Sequence, residues 1–381
     1  MEIIARDEDS KHQFKANVTN DISLAQEMIA FSNTLGGMLI IGVSNDGSIS
    51  GLTREDMGRL NNLISNAASQ QVRPPINPVT ENISLDDSLV MVVNIPKGMS
   101  KPYMDKNGVI WVKSGADKRK ATSREEIQRM YQDANLLHGD EIPVDTMQIT
   151  DVDEVFFSKF YREQYQEPLD AQNLNLKQIF KNLNLIRNGV LNIAGSLLFA
   201  KNPQYKLPAF IVKCVCYPGN AIDVSTYNDS QDVVGNLLTV FDDSLGFILR
   251  NIKRMQAGND INSLGELEIP KIVFEELLAN ALIHRDYFVS ASIRVFIFSD
   301  RIEIISPGHL PNNLSIENIK SGNSNIRNPI LASFATKLLP YRGLGSGIRR
   351  ALKEHPDIQF IDNREGNYFT VIVNRINNKN D

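Results

Sequence analysis

The pattern of apolar and polar positions is most regular near the beginning of the chain. Leu24, Met28 and Phe31 follow the i, i+4, i+7 spacing of one helix face, which predicts a helix over residues 21–34. Two glycines follow directly, and glycine commonly lies just past the last turn of a helix. The pattern therefore predicts a helix with a defined end.

A second pattern follows the glycine pair. Residues 38–43 (MLIIGV) form a short apolar run, which is typical of a strand buried on both faces. Asn-Asp-Gly at residues 45–47 is a strong tight-turn signal, and a second short strand is expected after it.

The remaining chain alternates between helical and strand patterns. Helical spacing covers residues 151–166, 176–185, 192–199, 233–255 and 272–283. Strands are predicted at residues 109–115, 207–217, 293–298, 301–305 and 368–373, with the third and fourth forming a hairpin. Because this order is not a regular βαβ array, we expect an α+β fold in both halves.

Length and composition limit the class of protein. A chain of 381 residues suggests two or three domains, and 42% hydrophobic with 22% charged residues is typical of a globular protein. A polar Gly- and Pro-containing stretch at residues 137–143 reads as a linker. We therefore expect a first domain over residues 1–138, a helical connector over 139–188 and a second domain over 189–381.

Neither end of the chain nor its cysteines indicate membrane or metal chemistry. No apolar run approaches the roughly 18 residues that span a bilayer, and the charged start lacks a signal-peptide core, so a cytoplasmic location is expected. Cys214 and Cys216 lie in an apolar run without neighbouring ligands, and are expected to be buried thiols.

A cluster of basic residues stands out against the net charge of −5. That net charge argues against non-specific coating of nucleic acid but allows a local basic patch. The patch follows a predicted strand and leads into a helix start, where Ser123 and Glu126 fit a capping box. A basic loop at a helix N-terminus suits a phosphate backbone, although a solvated loop is the alternative. The patch consists of Lys113, Lys118, Arg119, Lys120 and Arg124.

Four sequence blocks in order resemble the Schlafen-type AlbA domain. They are EDSKHQFK at residues 8–15, FSNTLGGMLIIGVSNDGSISG at 31–51, KPY with VIWVKSG at 101–115, and ATSREEI at 121–127. The resemblance implies a mixed α/β domain that binds nucleic acid, with DNA preferred over RNA, and it adds Lys15 to the basic candidates.

Some Schlafen relatives cut RNA with a cluster of acidic residues that holds a metal ion. By resemblance the corresponding positions here are Glu8, Gln13 and Asp46. Because the neutral amide of Gln13 is a poor ligand for Mg²⁺ or Mn²⁺, nuclease activity is not expected. Asp46 is instead expected to be a turn residue, and Glu8 to pair with a lysine or cap its strand.

The second half contains another candidate group. Glu276 and Asn280 are i and i+4, so both project from one helix face, where a carboxylate can polarise water and an amide oxygen can ligate Mg²⁺. Taken alone, such a pair is a weak signal, because most pairs with this spacing are surface pairs or caps. The predicted hairpin then ends in SPGHLP at residues 306–311, and a glycine-rich segment at 342–350 opens a helix, an arrangement that favours anions.

In this order the strings NALIHRDY, SPGHLP and GLGSGIRR resemble the GHKL ATPases, and more closely a divergent ATPase-like domain that often follows a Schlafen-type AlbA domain. The resemblance implies an α/β sandwich that binds ATP and Mg²⁺. It gives Glu276 the role of general base and Asn280 that of Mg²⁺ ligand. It also places Gly308 under the adenine and assigns the phosphate lid to Gly343, Gly345 and Gly347.

One departure from the family pattern affects the expected activity. Ser306 occupies the place of the Asp that reads the adenine amino group, and an uncharged hydroxyl makes a weaker hydrogen bond. Nucleotide binding is therefore expected with at most weak hydrolysis. A scaffold that has lost its nucleotide stays open as an alternative, and His284 can be either a ligand or a structural residue.

Three hypotheses follow from these patterns. The first is a transcriptional regulator that binds nucleic acid and senses a nucleotide, acting as a homodimer by analogy with GHKL domains. The second is an enzyme, either an ATPase or a metal-dependent nuclease. The third is a non-catalytic assembly scaffold.

Overall fold

The computed structural model describes residues 7–85, 88–134, 136–172, 174–223, 225–255, 265–311 and 314–375. The chain divides into two units, Met1–Leu137 and His138–Asp381.

The first unit is built around a four-stranded sheet in the order β1-β2-β5-β4, in which β1 and β2 are parallel and the other neighbours antiparallel. Two smaller antiparallel pairs join β3 to β6 and β7 to β8. A π-helical turn, Ala67–Gln71, follows α2. The elements are β1 (His12–Lys15), α1 (Asp21–Asn33), β2 (Gly37–Ile41), α2 (Arg54–Asn66), β3 (Val72–Arg73), β4 (Val79–Leu85), β5 (Ser88–Ile95), β6 (Met104–Asp105), β7 (Trp111–Ser114), β8 (Asp117–Lys120) and α3 (Arg124–Asp133).

Helix α1 confirms the first predicted element. Asn20 caps it, since its side-chain oxygen accepts from the Ser23 amide at 3.0 Å, and Leu24, Met28 and Phe31 are buried in the core of the unit. Gly36 has φ +73°, and a Cβ there would lie 2.6 Å from the Lys97 backbone nitrogen, so glycine is required at this turn.

The predicted hairpin after β2 is shorter than expected. The Asn-Asp-Gly turn is present, but the second short strand is a single bridge between Val43 and Ile49. The basic segment after β7 is more ordered than predicted. It was expected to be a loop, but Asp117–Lys120 form strand β8 and pair with β7.

The second unit contains a six-stranded sheet in the order β12-β11-β15-β16-β18-β17. Strands β11 and β15 are parallel and the other neighbours antiparallel, and β9–β10 and β13–β14 form small pairs. Its strands are β9 (Ile186–Arg187), β10 (Val190–Leu191), β11 (Val212–Cys216), β12 (Asp229–Val233), β13 (Arg254–Met255), β14 (Glu266–Leu267), β15 (Ile293–Ile297), β16 (Arg301–Pro307), β17 (Ile358–Asn363) and β18 (Tyr368–Asn374).

The helices of the second unit begin near its start and continue to the last sheet strands. They are α4 (Glu154–Tyr165), α5 (Leu176–Asn182), α6 (Ile193–Phe199), α7 (Leu237–Asn251), α8 (Lys271–His284), α9 (Ile316–Lys320), α10 (Pro329–Leu338) and α11 (Gly347–Glu354). Short 3-10 turns lie at Gly139–Glu141, Ile149–Asp151, Leu169–Gln172 and Pro203–Tyr205. The predicted hairpin at residues 293–305 is confirmed by β15 and β16.

The segment predicted as a helical connector packs within the second unit. Phe157 of α4 contacts Phe180 and Phe199, with ring centroids 4.5 and 4.9 Å apart, and Phe160 lies 5.8 Å from Phe334 of α10. These rings belong to the same apolar core as the six-stranded sheet.

The stretch predicted as a polar linker is also part of this packing. Asp140 is fully buried, and its Oδ2 accepts the backbone amides of Ile330 and Leu331 at 2.8 and 2.9 Å, which caps the start of α10. The linker interpretation of residues 137–143 is therefore wrong for Asp140, because this carboxylate has a partner 190 residues away in sequence.

Candidate functional site

Helix α8 forms one wall of the main cavity of the second unit. It contacts α7, α11 and β16, and residues on several of its faces are buried. Because the helix is covered in this way, a carboxylate near its middle is buried too: Glu276 is only 2% exposed. Asn280, one turn further, lies beside it on the cavity wall.

The structure brings the predicted nucleotide-site residues to one place. A single cavity of the second unit is lined by all seven of them: Glu276, Asn280, Ser306, Gly308, Gly343, Gly345 and Gly347. They come from α8, from the end of β16 and from the segment that leads into α11. Residues distant in sequence thus share one cavity, as the motif order predicts.

The glycine-rich segment closes against α8. Gly343 and Gly345 have φ of +67° and +68°, a left-handed conformation that favours glycine. At Gly347 an added Cβ would meet the Glu276 carboxylate and would lie 3.2 Å from Asn280 Nδ2. A side chain where α11 begins would therefore crowd the ends of the Glu276 and Asn280 side chains, because the backbone of this segment approaches both residues closely.

Glu276 is a buried carboxylate with an unusual electrostatic environment. Its Oε1 forms an ion pair with Arg350 Nη2, while its buried Oε2 has no hydrogen-bond partner among the described residues. Burial raises the pKa of this carboxyl above its ordinary value, and the nearby Arg350 and Arg342 act in the opposite direction. A buried carboxylate with one unsatisfied oxygen has capacity for a further donor or cation.

Asn280 is oriented by its own helix. Its Nδ2 donates to the Glu276 backbone oxygen at 2.7 Å, which leaves its side-chain oxygen as the remaining acceptor. A neutral amide oxygen binds Mg²⁺ weakly by itself, but it can complete the coordination of an ion that anionic phosphates also hold.

The other end of the cavity is largely apolar. Ser306 is buried and donates from Oγ to the Ala281 oxygen at 3.1 Å, so its lone pairs stay able to accept. Gly308 has φ +98°, and a Cβ there would lie 2.6 Å from Asp286 Cβ. The apolar lining nearby comprises Leu277, Ala281, Ile304, Phe369 and Val371.

Several cavity residues were not predicted to be site residues. Arg342 and Arg350 line the polar end, and both belong to the glycine-rich string whose glycines alone were selected. The sequence did contain a signal for them, because two positive charges at the two ends of a glycine-rich segment suit an anionic ligand.

His284 and Tyr341 form a further pair on the cavity wall, with Nε2 and the hydroxyl 3.3 Å apart. Burial, with a smaller contribution from the charge of Arg327, lowers the pKa of His284 to about 4. The imidazole is therefore neutral at pH 7, and in this state it carries no charge that would attract a phosphate.

The basic patch of the first unit is only partly exposed. The Lys113 side chain is fully buried, with Nζ 3.8 Å from Glu27 Oε2 and 3.4 Å from Gln13 Oε1. Burial lowers its pKa despite the neighbouring Glu27. The prediction that Lys113 belongs to an exposed basic surface is wrong, because this side chain is buried and forms an ion pair with Glu27.

Two other residues of the patch are engaged with acids. Lys118 Nζ lies 2.7 Å from Glu27 Oε1, and Arg119 makes two bonds to Glu126 at 2.8 and 3.0 Å. The predicted capping box is therefore only half formed. The Glu126 amide donates to Ser123 Oγ at 3.4 Å, but the Glu126 carboxylate binds Arg119.

Arg119, Lys120 and Arg124 are exposed, but Arg119 is paired with Glu126, whereas Lys120 and Arg124 make no ion pair with any residue of the described ranges. Lys120 Nζ lies 5.6 Å from the ring centroid of Trp111. Lys15 is partly exposed and lies 4.0 Å from Glu8 Oε1. The hairpin β7–β8 and the start of α3 therefore present a smaller basic surface than the sequence indicated.

The positions compared with the Schlafen nuclease cluster are occupied by structural contacts. Glu8 Oε1 accepts the Phe14 amide at 2.7 Å, and Asp46 accepts the amide and hydroxyl of Ser48 at 3.0 and 2.6 Å. Gln13 is buried. Within the described part of the chain, no group of three or more His, Cys, Asp or Glu side chains is placed to hold a metal ion.

Comparison with known families matches both units. The fold defines a two-unit protein with a mixed sheet in each unit. Residues 8–122 match the Schlafen AlbA_2 family, and residues 290–373 match the family described as "Putative ATP-dependent DNA helicase recG C-terminal". The chain therefore carries a Schlafen AlbA_2 domain followed by an ATPase-type domain, and both point to a nucleic-acid-related protein. Glu276 and Asn280 precede the second matched segment.

Two solved structures are similar at a low level. The DIP2311 protein from Corynebacterium diphtheriae is 20% identical, covers 96% of this chain and 75% of its own, and gives a TM-score of 0.48. The N-terminal domain of a RecG-related protein from Nitrosomonas europaea is 20% identical. The match covers 32% of this chain and 91% of that chain, with a TM-score of 0.24. At this level neither structure adds to the functional argument.

Neither a curated relative nor, among the described residues, a membrane-spanning helix was found. No curated protein matches the chain. Among the helices that the structure describes, none is both long enough and apolar enough to cross a membrane.

Proposed function

We propose that the cavity of the second unit binds an adenine nucleotide together with Mg²⁺, and that the protein is a nucleic-acid-binding regulator that responds to this nucleotide. The observation that carries the proposal is the shared cavity itself. It joins an apolar end near Ser306 and Gly308 to a polar end formed by Glu276, Asn280 and a glycine-rich segment.

The dimensions and chemistry of the cavity suit such a ligand. Ser306 contacts Ala281, five residues beyond Glu276 on α8, which separates the two ends by about 8 Å along the helix. The apolar end suits a purine ring, and the Ser306 hydroxyl can accept from its amino group. The polar end has Arg342, Arg350 and the backbone amides of the glycine-rich segment to receive phosphates.

The residues present also fit Mg²⁺ bound with a nucleotide. The Asn280 oxygen would hold the ion together with the phosphate oxygens of the nucleotide. Bound there, the ion would neutralise phosphate charge. The protein residues would orient the phosphates and keep the base away from water.

A second candidate function is ATP hydrolysis with Glu276 as the general base. Its raised pKa and buried position favour that role. The ion pair with Arg350, however, occupies one carboxylate oxygen, so we propose at most weak turnover.

For the first unit we propose contact with nucleic acid through Lys15, Lys118, Arg119, Lys120 and Arg124, with DNA preferred over RNA. The exposed Lys120 at the end of β8 and Arg124 at the start of α3 support this proposal, because cations that make no ion pair with the described residues can neutralise phosphates directly. Transcriptional regulation as a homodimer is the biological role we propose on this basis.

Competition binding tests the nucleotide proposal. A fluorescent ATP analogue would be titrated with Mg²⁺ and displaced by ATP, ADP and GTP. Gly345→Ala should weaken binding at least tenfold, because φ of +68° strains a residue with a Cβ and that Cβ would meet Gly322.

Gly246→Ala is the matched control, since a Cβ there meets nothing within 4 Å and Gly246 lies on α7 away from the cavity. Saturable displacement by ATP, lost in Gly345→Ala and kept in Gly246→Ala, would support the proposal. Absence of saturable binding to the folded wild-type protein would refute it.

A further inference from the structure

The ion pair between Glu276 and Arg350 joins the two walls of the cavity. Glu276 belongs to α8, and Arg350 belongs to α11, which follows the glycine-rich segment. Gly347 and Arg350 are i and i+3 on α11, so both lie on the helix face that approaches α8. The ion pair therefore fixes the position of α11, and with it the segment that leads into the helix.

Neither partner of this ion pair is fully satisfied. Glu276 Oε2 and Arg350 Nε are both buried without a hydrogen-bond partner among the described residues. Arg350 is 27% exposed, whereas Glu276 is 2% exposed, so the arginine is the partner that can reach a ligand in the cavity. An arginine presents five N–H donors and binds phosphate at least as well as carboxylate.

We propose that Arg350 acts as a latch with two alternative acceptors: the Glu276 carboxylate when no nucleotide is bound, and the terminal phosphate of a bound nucleoside triphosphate. The inference rests on the proposed nucleotide function and adds a regulatory step to it. Transfer of Arg350 to the phosphate frees Glu276 and releases α11 from α8. A ligand can shift such an equilibrium only through its different contacts with the two states, and Arg350 supplies that difference.

A double-mutant cycle tests the latch. Glu276→Gln keeps the shape of the side chain but removes the charge that competes for Arg350, so the affinity for ATP should rise about tenfold, with a smaller rise for ADP. Arg350→Gln should weaken ATP binding about tenfold, because the phosphate loses its donor.

The double variant separates the latch from simple charge repulsion. If Glu276→Gln acts by releasing Arg350, its gain in ATP affinity should disappear when Arg350 is already Gln. If the carboxylate merely repels the phosphates, the gain should persist in the double variant, and the latch is refuted.

Arg349→Ala is the control for a charge change on the same helix, because Arg349 is exposed and does not line the cavity. Its ATP affinity should equal that of the wild type, and circular dichroism should confirm that every variant is folded. Wild-type ATP binding with no coupling between residues 276 and 350 would overturn the latch alone. A folded wild-type protein that binds no nucleotide would overturn the proposed function, and the latch with it.

Discussion

The buried Asp140 provides a stability prediction that can be worked from the structure. Its Oδ2 accepts two backbone amides at the start of α10, but its Oδ1 is buried without a partner in the described residues. Burial, which outweighs the two amide bonds, raises the pKa of this carboxyl from 3.8 to about 6.

The sign of the effect follows from linkage. Below pH 4 Asp140 is protonated in both folded and unfolded protein, so its stability contribution is fully present. Between pH 4 and 6 the unfolded chain loses this proton first, and the free energy of unfolding falls by about 3 kcal/mol for a shift of roughly two units. Above pH 6 the loss is complete and constant.

His284 changes the wild-type profile in the opposite direction. Its folded pKa of about 4 lies below the ordinary 6.5, so stability falls as pH decreases between those values. The two residues therefore offset each other in the wild-type protein, and a difference between variants is needed to separate them.

Asp140→Asn isolates the carboxylate. The amide is close in shape, can still accept a backbone amide through its oxygen, and does not ionise. Urea unfolding would be followed by far-ultraviolet circular dichroism from pH 4 to 7 for both proteins. The wild type should lose about 3 kcal/mol relative to Asp140→Asn over this range. Parallel stability profiles would refute the reasoning, because they would show that ionisation of Asp140 carries no cost.

Three further predictions concern packing and charge. Gly347→Ala should lower the free energy of unfolding by about 1–3 kcal/mol, because the added methyl group overpacks against α8. Gly246→Ala should leave stability unchanged or raise it. Equal melting temperatures for the two variants would contradict this prediction. Glu27→Ala should lower the free energy of unfolding by about 3 kcal/mol, because it leaves Lys113 buried without its acidic partner. Unfolding can be followed by the fluorescence of the chain's only tryptophan, and an unchanged unfolding midpoint would contradict this prediction. Lys120→Ala should weaken DNA binding and reduce the slope of log affinity against log salt by about 1, and an unchanged slope would exclude a phosphate contact.

The sequence was sufficient where local spacing decides the structure. The helix at α1 and the β15–β16 hairpin were predicted because apolar periodicity and the turn residues act over a few positions. The predicted helix at residues 233–255 began too early, because residues Asp229–Val233 pair as strand β12 beside β11 and the helix begins only after Asn236. Pairing with a distant strand overrides local periodicity.

In the candidate site too, local features could be predicted from the sequence, whereas contacts between distant elements could not. Glu276 and Asn280 could be selected by their i, i+4 spacing and the glycines by their conformational freedom. The Arg350 partner of Glu276 could not, because the two residues meet only after α8 and α11 pack together. Lys113 illustrates the opposite error, since a lysine in a basic run suggests a surface charge until Glu27, far away in sequence, is placed beside it.

Hydrogen exchange with and without Mg-ATP tests the central claim most directly, because it locates the ligand as well as detecting it. The account predicts slower exchange in the glycine-rich segment at residues 342–347 and at the end of β16, with the first unit's sheet unchanged. Exchange that is unaltered around this cavity at saturating Mg-ATP, or protection confined to another part of the chain, would contradict the assignment of the cavity as a nucleotide site.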